Sequence, residues 1–100
     1  MENYYTNRGY VEASSYRVKT IKALGKTNTM TPTNICKDTG IRINHISKTL
    51  SELKGHKLIV CLNEEARKGR LYTLTNEGKK IFDDLNDWEK ILYRIKWYLG

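Results

Sequence analysis

Apolar residues recur along this chain in blocks of different period, and the blocks predict its elements. Val18, Ile21 and Leu24 stand three apart with Ala23 beside them, Ser14 or Ser15 supplies an N-cap, and Gly25 offers a stop. That pattern predicts a helix over about 15–24. Thr31-Pro32 is a second start signal, a capping hydroxyl followed by proline at the first helical position. It predicts a helix from Pro32 to Asp38 or Thr39 that buries Ile35 and Cys36 and is closed by Gly40. A third helix is expected over 43–54, with Ile46, Leu50 and Leu53 as its apolar stripe. The pattern then changes. Leu58–Leu62 and Leu71–Leu74 read as strands, and the polar stretch 63–70 around Gly69 reads as the loop between them. Thr75 caps a final helix from Asn76 to about Leu99, roughly 36 Å long at 1.5 Å per residue. Its positions Ile81, Leu85, Trp88, Leu92, Ile95 and Leu99 alternate spacings of four and three, a heptad seam broadened by Phe82, Ile91, Tyr93, Trp97 and Tyr98. Residues 1–13 carry Tyr4, Tyr5 and Tyr10 without a clear period and are expected to form an extended or partly ordered arm.

Charge adds a partner class to this outline. The 100 residues carry a formal net charge of +7, and the excess is local. Residues 14–62 hold nine Lys/Arg against two Asp/Glu, whereas residues 75–100 are balanced at five and five. A basic segment of this kind suits an anionic partner, nucleic acid first among them. The chain has the size of one domain with a modest core. It contains no apolar run of the ~18 residues a membrane span needs, and Met1–Tyr5 lacks the basic flank and apolar core of an export signal, so a soluble cytoplasmic protein is expected. Cys36 and Cys61 fall in different elements without a C-x-x-C or a histidine at ligand spacing, and they read as small apolar residues. His45 and His56 have no adjacent nucleophile or carboxylate constellation, and no glycine-rich phosphate loop appears. The chain is therefore expected to be no enzyme, with no catalytic residue, cofactor or metal, and the sequence specifies no small-molecule effector.

Two short helices joined by a glycine-containing turn, followed by a hairpin with a basic tip, describe a helix-turn-helix with a wing. Ser15-Tyr16-Arg17, Thr39-Gly40-Ile41, Ile46-Ser47-Lys48, Leu50, Leu53, Leu58-Ile59 and the hairpin exit Tyr72-Thr73-Leu74-Thr75-Asn76-Glu77-Gly78 carry a resemblance to the winged helix-turn-helix transcriptional regulators of bacteria and archaea, in the broad MarR-like and ArsR-like group, with a lean toward archaeal members. The resemblance spans about residues 15–80. It implies an α+β, mainly α, fold: a three-helix core, a two-stranded wing and a long C-terminal helix. The chain then divides into an N-terminal arm (1–13), a DNA-binding domain (14–80) and a dimerisation helix (81–100). One departure stands out. Such regulators often place glycine immediately before the apolar pair that opens the wing, whereas here Lys57 precedes Leu58 and the glycine is Gly55.

On this reading the helix over 43–54 enters the major groove of double-stranded DNA. Arg42 is placed to reach guanine or a phosphate and Asn44 to pair with adenine, with His45, Ser47, Lys48 and Thr49 as further contacts. Thr31, Thr33 and Asn34 open the preceding helix toward a phosphate. Arg67, Lys68 and Arg70 at the wing tip meet the backbone or the minor groove. Leu85, Trp88, Leu92, Ile95 and Leu99 are expected to pair with the same helix of a second copy, giving a homodimer whose reading helices lie about 34–36 Å apart over a palindromic site. The competing reading is a winged helix that serves as a protein-interaction or RNA-binding module of a larger complex.

Overall fold

A computed structural model describes the backbone of residues 4–99, and the side chains of that span except at positions 4, 5, 88–90, 93 and 96–99. The elements run α1 (Tyr4–Glu12), α2 (Ser15–Thr27), α3 (Pro32–Thr39), α4 (Ile43–Gly55), β1 (Ile59–Cys61), β2 (Tyr72–Leu74) and α5 (Asn76–Leu99). The strands pair antiparallel with Ile59 opposite Leu74 and Cys61 opposite Tyr72. Met30 adds a single bridge on the outer edge of β2, exchanging both backbone bonds with Tyr72 at 3.1 and 2.9 Å. The order and type of the elements from α2 onward follow the sequence pattern.

Three local outcomes depart from it. First, α2 does not stop at Gly25. It continues to Thr27 and is closed by Asn28 in a positive-φ conformation, whose N–H bonds Leu24 O. Gly25 is required by packing: a Cβ built there would lie 2.1 Å from the ring of Phe82, so the bare backbone is what lets α5 approach α2. Second, residues 1–13 are not an extended arm, since Tyr4–Glu12 is helical. Its inward residues are Asn7, Tyr10 and Val11, a helical stripe with polar members that hydrophobic periodicity passes over. Third, the strands are three residues each, shorter than the apolar runs that announced them.

Burial converges where α2, α3, α4 and the start of α5 meet. Ile21, Leu24, Ile35, Ile46, Leu53, Leu58 and Ile81 are fully buried, and Leu50, Leu74 and Leu85 join the same cluster. Cys61 is buried at the strand, Cys36 is half-buried against the core, and both are free thiols. The N-terminal helix is fastened to this body by Val11, which is fully buried in the core cluster, and by polar groups. Tyr10 lies 3.7 Å from both the His56 ring and the Arg17 guanidinium carbon, which must therefore occupy opposite faces of its ring. Arg17 donates to Tyr10 O at 2.8 Å and to Glu52 Oε2 at 3.1 Å, and His56 Nδ1 lies 3.2 Å from Asn7 Oδ1.

The wing-to-helix junction has a concrete basis in the Leu-Thr…Glu-Gly motif. Thr75 Oγ1 accepts the Gly78 N–H at 3.2 Å, capping α5, and donates to Lys57 O at 2.8 Å. A Cβ on Gly78 would stand 2.2 Å from Leu58 O, so glycine alone lets the first turn of α5 close onto the strand. Lys57 resolves the departure before Leu58. The Lys57 N–H bonds Lys54 O and the Leu58 N–H bonds Leu53 O, while Lys57 itself sits at φ 60°. This is a Schellman closure of α4 with lysine where glycine is usual, so the turn keeps its register and Gly55 stays helical.

Candidate nucleic-acid interface

The face of α4 turned away from the core is set by what its other face buries. Ile46, Leu50 and Leu53 face inward, and Arg42, Asn44, His45, Ser47, Lys48 and Ser51 are exposed around the opposite side. Arg42 occupies the N-cap position without using its side chain as a cap, which leaves the guanidinium outside the helix's own hydrogen bonding. Thr49 is a correction to the sequence reading. It is 3 % exposed and its hydroxyl donates to His45 O at 2.8 Å, because position 49 falls on the buried side beside Leu50. Two further residues join the exposed face. Ile43 is half-exposed in the first turn even though its spacings of three, four and three through Ile46, Leu50 and Leu53 keep it in phase with the buried stripe. Tyr16, from the start of α2, stacks at a tilt on His45 with ring centroids 5.1 Å apart, a contact between elements that no local pattern announces.

The turn leading into α4 is closed by local hydrogen bonds. Thr31 Oγ1 accepts the Asn34 N–H and caps α3, and Thr33 and Asn34 are exposed beside it. Gly40 takes a left-handed φ of 76° and bonds Cys36 O, while Thr39 Oγ1 bonds Ile35 O and receives the Ile41 N–H. Thr31, Thr33 and Asn34 thus stand together at the open end of α3, but the Thr31 hydroxyl is already engaged as a cap.

The wing is organised by polar side chains. Asn63 Oδ1 accepts the Leu71 N–H at 2.7 Å and the Cys61 S–H at 3.5 Å, and Asn63 Nδ2 donates to Gly69 O at 3.2 Å. Arg67 and Lys68 are exposed at the tip, whereas Arg70 turns inward and donates to Ala66 O and Glu64 O at 2.8 and 3.1 Å. Glu64 pairs with Lys54 at 2.5 Å, tying the wing to the end of α4. That hydrogen bond holds the Glu64 carboxyl below its ordinary value and the Lys54 ammonium above its own. Among the described residues, no group of three His, Cys, Asp or Glu is placed to hold a metal, and no helix is long and apolar enough to cross a membrane.

The seam expected on α5 divides at its second position. Leu85, expected to pair with another chain, is 8 % exposed and closed into the core of its own domain with Ile81. Leu92 and Ile95 are 47 % and 46 % exposed, and Ile91 beside them 46 %. Trp88 and Leu99 fall outside the described side chains.

No protein-family model matches the sequence, and no curated protein matches it. Solved structures do match the fold. Ligand-free NadR superposes with a TM-score of 0.72 at 19% identity, covering 87% of this chain and 62% of that one. Streptococcus pneumoniae FabT in complex with DNA gives 0.73 at 20% identity over 94% of this chain and 70% of its own. A mutant of the type III plasmid segregation protein TubR gives 0.74 at 11% identity over 90% and 96%. The fold is a winged helix-turn-helix. The resemblance carried by residues 15–80 therefore holds in three dimensions, with α3 and α4 as the helix-turn-helix and the β1–β2 hairpin as the wing. This chain spans less than two thirds of the ligand-free NadR chain.

Proposed function

We infer that this protein binds double-stranded DNA as a homodimeric transcriptional regulator, with α4 in the major groove and the wing on the backbone or minor groove. The observation that carries the reading is the exposed face of α4, where Arg42, Asn44, His45, Ser47 and Lys48 stand with no acidic residue among them, held outward by a fully buried opposite stripe. Arginine and asparagine at the start of such a helix supply the bidentate donors that read guanine and adenine edges, and the half-exposed Ile43 supplies an apolar surface for a thymine methyl. Thr33, Asn34, Arg67 and Lys68 are the phosphate-facing candidates. FabT, which shares the fold, has been captured with DNA, and this supports the same partner class here.

Pairing follows from α5. Ile91, Leu92 and Ile95 leave a run of aliphatic surface on a helix whose beginning already packs on its own domain, and a second copy of the same helix is the partner that covers it symmetrically. A two-fold dimer predicts a palindromic operator with half-sites about one DNA turn apart.

The test is selection from a randomised duplex pool at about 150 mM salt, run beside the Arg42→Ala/Lys48→Ala variant. A palindromic motif that the variant loses is the expected result. Selection without enrichment would remove this reading and leave the winged helix as a protein-interaction or RNA-binding module.

A further inference from the structure

We propose that Arg70 is a positioning residue of the wing and not one of its DNA contacts: its guanidinium braces the hairpin loop so that Arg67 and Lys68 are presented as a fixed pair. The proposal rests on the DNA-binding reading for its consequence and on the wing geometry for its substance.

Three basic residues surround Gly69, and composition alone treats them alike. The structure separates them. Arg67 and Lys68 are exposed, whereas Arg70 sends Nε to Ala66 O at 2.8 Å and Nη2 to Glu64 O at 3.1 Å. Those two carbonyls lie two residues apart on the outgoing side of the loop, and a planar fork with divergent N–H groups is the side chain that can hold both at once. A lysine ammonium brings the same charge on a flexible stem without the fork. Asn63 closes the loop from the other direction through the Leu71 N–H and Gly69 O, and Ala66 N bonds Asn63 O at 2.9 Å. Gly69, at φ 67°, makes the reversal that brings Arg70 back beneath the tip. From Leu62 to Leu71 no residue is buried, so apolar packing does not shape this loop and the side-chain bonds do. Glu64 carries the bracing onward, since its backbone oxygen receives Arg70 while its carboxylate holds Lys54 of α4. The tip cations are thereby held in a fixed relation to the reading helix.

The test is a comparison of Arg70→Lys with Arg70→Ala in two assays. In the DNA-free protein, limited trypsin digestion with mass-spectrometric detection of cleavage after Arg67 and Lys68 should accelerate about tenfold in both variants, the change expected when roughly 1.4 kcal/mol of local closure is lost. On a selected duplex, both variants should weaken binding to a similar degree, and Arg70→Ala added to Arg67→Ala/Lys68→Ala should weaken it no further, because a brace has nothing left to position. An Arg70→Lys protein that is cleaved at the wild-type rate, or that binds with wild-type affinity and salt slope, overturns the proposal and makes Arg70 a charge contact. So does an additive loss in the triple variant. If the wild-type chain binds no duplex at all, the functional reading falls, and the digestion arm still decides whether Arg70 braces the loop.

Discussion

Helix α4 and the wing face the same proposed partner but are held in place by opposite means. Helix α4 rests on Ile46, Leu50 and Leu53, all buried, so its position is set largely by apolar burial, although His45 on its outer side also stacks on Tyr16 of α2. The loop from Asn63 to Arg70 contains no fully buried residue and is shaped by Asn63, Arg70 and the Lys54–Glu64 pair. Apolar support leaves polar residues available for a partner, whereas polar support consumes them. Counting cations treats Arg70 like Arg67 and Lys68, although its guanidinium is already engaged within the loop.

The largest expected effect tests the apolar side of this contrast. Leu53→Ala removes a fully buried side chain under α4 and should cost about 2–5 kcal/mol of global stability in urea unfolding. A loss under 1 kcal/mol would mean that burial is not what holds the helix. On the wing, Asn63→Ala removes bonds to Leu71, Gly69 and Cys61, each worth about 0.5–1.5 kcal/mol at most in this exposed setting. The loss should stay local. Amide exchange at Leu71 should speed up by about tenfold or more while the global unfolding midpoint barely moves. A midpoint that falls as far as in Leu53→Ala would show that the wing and the core unfold together, and the contrast would fail.

The same contrast explains what the sequence made legible. Period, caps and breakers located every element from α2 to α5, because those signals report apolar burial and backbone closure, which dominate there. The α1 helix escaped because its inward stripe is Asn7, Tyr10 and Val11, fastened by His56 and Arg17 from distant elements. Gly25 reads as a stop by local rules, and its real role depends on Phe82, 57 positions later. The candidate reading face was legible except at Thr49, where polarity pointed outward and geometry points inward. Arg70 and Leu85 share an ambiguity: a residue's type suits both a partner and its own domain, and only the tertiary contacts show what it meets within the domain.

Between the two regions lies the Schellman turn, and Lys57 occupies its left-handed position at φ 60°. An L side chain there costs about 1–2 kcal/mol relative to the right-handed region, and glycine removes that penalty at some cost in unfolded-chain entropy. Lys57→Gly should therefore raise stability by about 1 kcal/mol at most, measured as a higher urea midpoint with an unchanged slope. A destabilised variant would mean that the lysine side chain itself supports the joint between α4 and β1.

The smallest effect belongs to the exposed Lys54–Glu64 pair, which bridges α4 and the wing. Its hydrogen bond depresses Glu64, so that carboxylate's contribution is present above the ordinary 4.5 and is lost as pH falls through the lower folded value. Lys54 is raised, so its contribution is present below 10.5 and is lost as pH rises through the higher folded value. The tie is accordingly intact across neutral pH and opens first in acid within the range of a stability measurement. Glu64→Gln should lower the unfolding temperature slightly at pH 7, and the difference from wild type should shrink as pH falls below 4.5 and in high salt, as expected of a screened surface pair. A difference that persists in acid would show that Glu64 supports the wing through its side-chain shape or its neighbours and not through its charge, and the wing would then have lost its electrostatic link to α4.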